Sequence, residues 1–242
     1  MIFCCFAAYS TTLKRIAWFC VLILMLSCAV AAQNGPPAAQ QTSNPVSRGI
    51  GYLFNYLNMA GTQKASDFRP LHQRERTQIY VETMVNPFGY IKAAFSAGFD
   101  QWQDKPPEWE QGLSGYGKRY VNITAQYSIQ RTITFGLSSA LHEDNRYFNS
   151  GQKGFWRRTR YALMSGLMAR HDDGSRHLSV SQLGGVAAGA FVSRAWQPGS
   201  QRSAGDGAVS FGISMMSNIG FSEVKEFIPD IGRTFGLKDQ KR

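Results

Sequence analysis

The spacing of apolar and small residues in this 242-residue chain predicts an all-α fold, a compact bundle of about five to seven helices behind an N-terminal signal segment. Three observations point that way. Apolar residues recur on helical spacing, as in Tyr90, Ile91, Ala94, Phe95, Gly98 and Trp102. The segment from Glu108 to Leu141 runs unpunctuated far beyond the length of a normal strand. Gly, Ala and Ser recur four apart, most clearly at Gly185 and Gly189, where small residues let helix backbones approach closely. The alternative is an outer-membrane β-barrel, which reinterprets the same Gly- and aromatic-rich segments as strands.

In chain order, residues 1–32 read as a secretory signal. Lys14 and Arg15 supply the positive region, Ile16 to Leu26 the apolar stretch, and Ala29-Val30-Ala31 a small-residue cleavage site. A retained membrane anchor is the competing reading. Ser27-Cys28 makes a poor lipoprotein box, because Leu26 stands where a small residue is preferred. All four cysteines (Cys4, Cys5, Cys20 and Cys28) precede the expected cut, so the exported chain has no disulfide, no Cys ligand and no Cys nucleophile. Residues 33–50, rich in Ala, Gln, Pro and Ser, read as a disordered tether. Gly51 to Leu57 is a short amphipathic segment opening a single helical domain over 51–237.

Leu71 to Val85 is expected to be helical, stopped at Asn86-Pro87. Pro87 then suits the first turn of the next helix, which Lys105-Pro106-Pro107 breaks. Glu108 to Leu141 fits two templates. Val121, Ile123, Ala125, Tyr127 and Ile129 alternate as a strand would, whereas Val121, Ala125, Ser128, Ile129, Thr132 and Ile133 form a helical stripe. Its length favours helix. Helical patterns are also expected over Phe155 to Ala169, Leu178 to Trp196, and Ala204 to Ile228, the last ended by Pro229. Residues 238–242 form a basic tail. No mature segment has the apolar length of a membrane span.

With 26 Lys+Arg against 16 Asp+Glu, the chain has a net charge of +10. Removing residues 1–32 takes away Lys14 and Arg15 and no acid, leaving it strongly basic. A basic exported protein favours anionic partners, here a membrane surface with anionic lipid or an envelope protein partner, and export argues against nucleic acid. A solvated surface with no dedicated partner is the plainer reading. The expected residence is the periplasm or the outer membrane.

Gly115-Tyr-Gly-Lys-Arg119, Leu141-His-Glu-Asp-Asn-Arg-Tyr-Phe148, Gly154-Phe-Trp-Arg157 and Lys225-Glu-Phe-Ile-Pro-Asp-Ile231 together resemble a family of exported bacterial proteins of unknown function. The resemblance covers roughly Asn86 to Ile231 and rests on short motifs. It implies a mainly helical fold, supports the helical reading of Glu108 to Leu141, and implies no activity.

Two sets of residues are candidates for chemistry or binding. The first is a basic-aromatic surface of Lys118, Arg119, Arg146, Tyr147, Trp156, Arg157, Arg158 and Arg160. Such pairing suits a membrane interface, where Trp and Tyr sit at head-group depth and Arg grips phosphate in two places. It predicts a non-enzymatic protein with no cofactor. The second is His142-Glu143-Asp144 with His171-Asp172-Asp173, both expected at helix ends. His142, Glu143 and Asp144 are the catalytic candidates and His142, Asp144, His171 and Asp172 the metal candidates of a metal-dependent hydrolase, a carboxylate serving as base to bound water. Neither cluster has a recognised metal spacing, and a histidine in a last helical turn also suits the helix dipole. Gly112 to Gly117 can cradle a phosphate or simply allow close packing. Glu223, Glu226 and Asp230 are expected to pair with Lys118, Arg119 or Arg146.

Overall fold

A 29-residue helix with three others packed along it dominates the structure, a computed structural model that describes residues 63–64 and 68–234, with side chains from 68 to 230. The expected signal segment, the tether, the segment from Gly51 to Leu57 and the basic tail lie outside the described residues. Six α-helices are present among the described residues, with short strands that form no closed sheet. The fold is mainly helical, and it is not a barrel. Among the described residues no helix is long and apolar enough to cross a membrane.

The described chain divides into two compact units. The first comprises 66–146 and 167–217. In it, α1 (Gln73–Val85) starts where the Glu75 carboxylate accepts from the His72 N–H at 3.0 Å. It stops at Asn86, whose side chain accepts from the Phe88 N–H and so caps α2 (Pro87–Trp102), with Pro87 in its first turn as expected. α3 (Gly112–Ala140) is the long ambiguous segment, now helical throughout. α5 (Val180–Val192) is capped by Ser179, whose Oγ accepts from the Gln182 N–H. α6 (Ala204–Thr234) belongs to the first unit as far as Ser217.

Small residues set the close approaches along α3. A Cβ on Gly185 would meet the Thr134 hydroxyl and stand 2.6 Å from the Gln130 carbonyl oxygen; one on Gly189 would stand 2.9 Å from that of Gln126. Both distances forbid a side chain, so α5 lies backbone to backbone on α3. On another side of α3, Gly89 of α2 receives the Tyr127 ring, and Ala93 and Ala97 are buried. α1 joins through Tyr80, stacked on Phe135 with centroids 4.6 Å apart.

The first unit also holds what the sequence reading did not expect. The helical pattern over Phe155 to Ala169 ends at Ser165, and Met168–His171 is a strand, β4, paired antiparallel with β2 (Glu143–Asp144) and β5 (Arg176–Leu178). The hairpin turns through Asp172, Asp173 and Gly174, whose φ of 82° suits glycine's freedom. His171 is therefore a strand residue rather than the last turn of a helix.

The second unit comprises 147–166 and 218–234, with 63–64. β1 (Gln63–Lys64) pairs in parallel with β3 (Phe148–Asn149), and α4 (Phe155–Ser165) packs on the C-terminal part of α6. A Cβ on Gly166 would lie 2.7 Å from the Ile219 Cα, so glycine is required there. Pro229 does not end α6, which continues to Thr234. Proline removes a helical donor and crowds the preceding turn. In that turn the Glu226 carbonyl accepts side-chain bonds from Asn149 Nδ2 at 3.2 Å and from Arg158 Nη2 at 2.5 Å, which tie the turn to its neighbours.

Candidate functional site

Two buried polar constellations absorb most of the residues singled out by the sequence, one in each unit.

In the first unit, α3 ends at Ala140 and the chain turns sharply through His142, at a φ of 54°. That turn delivers Glu143 to the start of α5. Its carboxylate, 2 % exposed, accepts from the Val180 N–H at 3.0 Å, the Ser181 N–H at 2.9 Å, the Ser181 hydroxyl at 2.5 Å and the Ser179 hydroxyl at 3.2 Å. The first turn of a helix has unpaired N–H groups and a partial positive charge, so an acid is well placed there. Asn145 completes the cluster, accepting from Ser179 at 2.6 Å and donating to Ser181 at 2.7 Å.

Asp144 faces the other way and is gripped by Arg146, with Nε 3.0 Å from both carboxylate oxygens and Nη2 2.7 Å from Oδ2. Arg76 of α1, also buried, donates to the Ser138 carbonyl at 3.1 Å, to the Glu143 carbonyl, and to Asp172 at 3.3 Å. It ties the end of α3, where helix carbonyls lack partners, to the sheet.

The hydrolase set is not assembled. β2 and β4 bring Glu143 opposite His171, yet Glu143 spends its oxygens on α5, Asp144 on Arg146, and Asp172 on Arg76. His142 is exposed, and His171 lies edge-on to His177 with centroids 5.2 Å apart. Among the described residues no group of three or more His, Asp or Glu could hold a metal ion. Ser179 and Ser181 bond the Glu143 carboxylate, the Asn145 amide and each other.

The second constellation surrounds Glu226 on α6, which is fully buried. Tyr147 donates to it at 2.7 Å, the Ser150 N–H at 3.0 Å, the Ser150 hydroxyl also, and Arg158 Nε at 3.1 Å. Arg158 reaches on to Asp230 and lies over the Phe227 ring, 4.3 Å from its centroid. Burial works against its charge, but the bonds to Asp230 and Glu226 raise its pKa on balance. Burial, and then Glu226, push the Tyr147 hydroxyl far above the usual phenol range, so it keeps its proton and donates it to Glu226. Glu223, one turn back on α6, accepts from the Thr159 hydroxyl at 2.8 Å through one oxygen, and its other oxygen is buried without a partner. Burial holds its pKa above the ordinary value.

The expected cation surface is thus split. Arg119 is fully buried, donating to the Lys105, Pro106 and Glu110 carbonyls at 2.8, 2.9 and 2.7 Å and to Gln101 at 2.5 Å. Gly115 lets α3 approach that loop, since a Cβ there would sit 2.6 Å from the Trp109 carbonyl oxygen; the glycine-rich stretch serves packing. Arg146, Arg158 and Tyr147 are committed to internal acids. Glu226 and Asp230 pair with Arg158, not with the cations expected for them. Lys118, Trp156, Arg157 and Arg160 stay exposed. The sequence reading missed Ser150, Thr159, Ser179 and Ser181, although Glu223, Glu226 and Asp230 at three- and four-residue steps signal one acidic helix face needing donors.

No family model, no curated protein and no solved structure matches this chain.

Proposed function

We propose that this is an exported, envelope-associated, non-enzymatic protein that binds anionic lipid through α4. One observation carries the reading: α4 turns Trp156, Arg160, Leu163 and Met164 outward along one face. Trp156 is 76 % exposed, Leu163 43 % and Met164 49 %, at steps that align on a helix. Exposed Arg157 and Lys153 flank them. The opposite face carries Phe155, Arg158, Thr159 and Ala162 into the second unit, so the outward residues are surplus to its core.

An aromatic and two aliphatic side chains among cations match a membrane interface, where the apolar groups enter the acyl boundary and the cations meet phosphate. At eleven residues α4 is ~16 Å long, about half a hydrocarbon core, so it suits lying in the interface. The basic charge, +10 for the whole chain and two less once Lys14 and Arg15 leave with residues 1–32, adds long-range attraction to an anionic leaflet.

Flotation with phosphatidylglycerol-containing and purely phosphatidylcholine vesicles tests this. Binding is expected to the first, weakening with salt, and Arg157→Gln with Arg160→Gln should cost about 1 kcal/mol per cation. Equal partition onto neutral vesicles, or indifference to Trp156→Ala, would sink it.

A further inference from the structure

The β4–β5 hairpin places two histidines side by side. Across the antiparallel pair Ala169 stands opposite His177, and His171, two residues on along β4, shares the face of Ala169. His171 and His177 are therefore diagonal neighbours, and their rings meet edge to face with centroids 5.2 Å apart. The turn between them is fixed by backbone bonds. The His171 N–H donates to the Ser175 carbonyl at 3.0 Å, and the Gly174 N–H to the His171 carbonyl at 2.8 Å. His177 is exposed and His171 half-buried, so the pair lies at the surface.

The turn also decides which nitrogen of His177 is bare. Asp173 Oδ1 accepts from the Ser175 N–H at 2.8 Å and from the Ser175 hydroxyl at 2.5 Å. Those two bonds hold the Asp173 carboxyl below its ordinary range, so it is ionised and only accepts. A hydroxyl has one proton, and Ser175 spends it on Asp173. Toward His177 Nε2, 3.0 Å away, Ser175 can then only accept, and the neutral imidazole carries its proton on Nε2. Nδ1 keeps its lone pair and has no hydrogen-bond partner among the described residues; the same holds for both ring nitrogens of His171. A carboxylate acting on an imidazole N–H is the outer support that metal-ligating histidines carry. The spacing agrees: with metal–nitrogen bonds of about 2 Å, two imidazoles on one tetrahedral ion stand roughly 5 Å apart between ring centres.

We propose that His171 and His177 Nδ1 chelate one divalent copper or zinc ion across the hairpin, with Ser175 and Asp173 orienting His177 and water filling the remaining positions. Imidazole nitrogen suits these ions, whereas calcium and magnesium take oxygen. The site uses none of Glu143, Asp144 and Asp172, whose oxygens are committed to α5, Arg146 and Arg76. It draws on no residue of α4.

The test is a titration of the full chain with cupric chloride, its four cysteines alkylated beforehand so that no thiol competes, followed by calorimetry and electron paramagnetic resonance. One tight site per chain is expected, with hyperfine coupling from imidazole nitrogen, and calcium in about hundredfold excess should not displace the copper. His171→Gln and His177→Gln should each weaken binding more than about tenfold; Ser175→Ala should weaken it about tenfold, and Ser175→Thr should restore it. A parent spectrum without imidazole nitrogen, or displacement by calcium, overturns the proposal whether or not the variants fold. Unchanged affinity in folded His171→Gln or His177→Gln also overturns it, and unchanged affinity in folded Ser175→Ala overturns the orienting role of Ser175 and Asp173.

Discussion

Glu143 in the first unit and Glu223 in the second are both 2 % exposed, yet their surroundings are opposite. Glu143 has both oxygens met by backbone N–H groups and hydroxyls at the start of α5, with no cation on its carboxylate. Glu223 has one oxygen met by Thr159 and the other by nothing, and Glu226 beside it adds to the rise in its pKa. Oriented dipoles are enough to house a buried acid, and a nearby cation is not: Arg158 is close enough to act on Glu223 but spends its donors on Glu226 and Asp230.

The largest test of that contrast is Glu143→Ala. It leaves the Val180 and Ser181 N–H groups and the Ser181 hydroxyl without their acceptor and should cost about 3 kcal/mol in urea unfolding. A cost below ~1 kcal/mol would mean water replaces the carboxylate freely.

Next in size is a glycine pair. Gly185→Ala drives a Cβ into Gln130 and Thr134 and should destabilise by roughly 2 kcal/mol. Gly136→Ala, where a Cβ meets nothing within 4 Å on the same α3, should stabilise by about 1 kcal/mol. Opposite signs in the two melting curves check the packing of α5 on α3.

Asp100 gives a pH signature. Burial raises its pKa from 3.8 to about 6, with Arg119 and Lys105 only partly offsetting it. Between those values the folded chain keeps a proton that the unfolded chain has released, so stability falls as pH rises through the window and stays lower above it. Asp100→Asn should remove that fall, a gain of roughly 2 kcal/mol at neutral pH after allowing for partial exposure. Identical pH profiles for parent and variant would show that Asp100 is solvated.

The smallest effect sharpens the opening contrast. Glu223→Gln should be neutral or slightly stabilising at pH 7, and the two chains should converge as pH falls below the ordinary carboxylate range. A loss matching that of Glu143→Ala would erase the difference between the two acids.

Much of the helical layout was legible because it is written locally. Asn86-Pro87 announces one helix stopping and another starting within two residues, and Gly185 with Gly189 announces a close approach. The β4–β5 hairpin was missed although Asp173-Gly174 is a turn signal, because Met164, Leu167 and Met168 continue the helical spacing of α4 into it. The cation surface was half misread. Arg119, Arg146 and Arg158 look in sequence like Arg157 and Arg160, and only their partners distinguish them. Those of Arg158 lie 68 and 72 residues away, beyond any local pattern.

By itself, then, the sequence determined that the fold is mainly helical, where α1 gives way to α2, which faces are small enough for close packing, and that basic residues gather around Trp156. These follow from propensities and spacings within a few residues. Tertiary structure alone decided which charges turn inward, and that Glu143 meets a helix start while Glu223 meets a gap. Such pairing depends on which distant segments the packing of α3 and α6 brings together, and burial makes each choice cost or gain a kcal/mol or more.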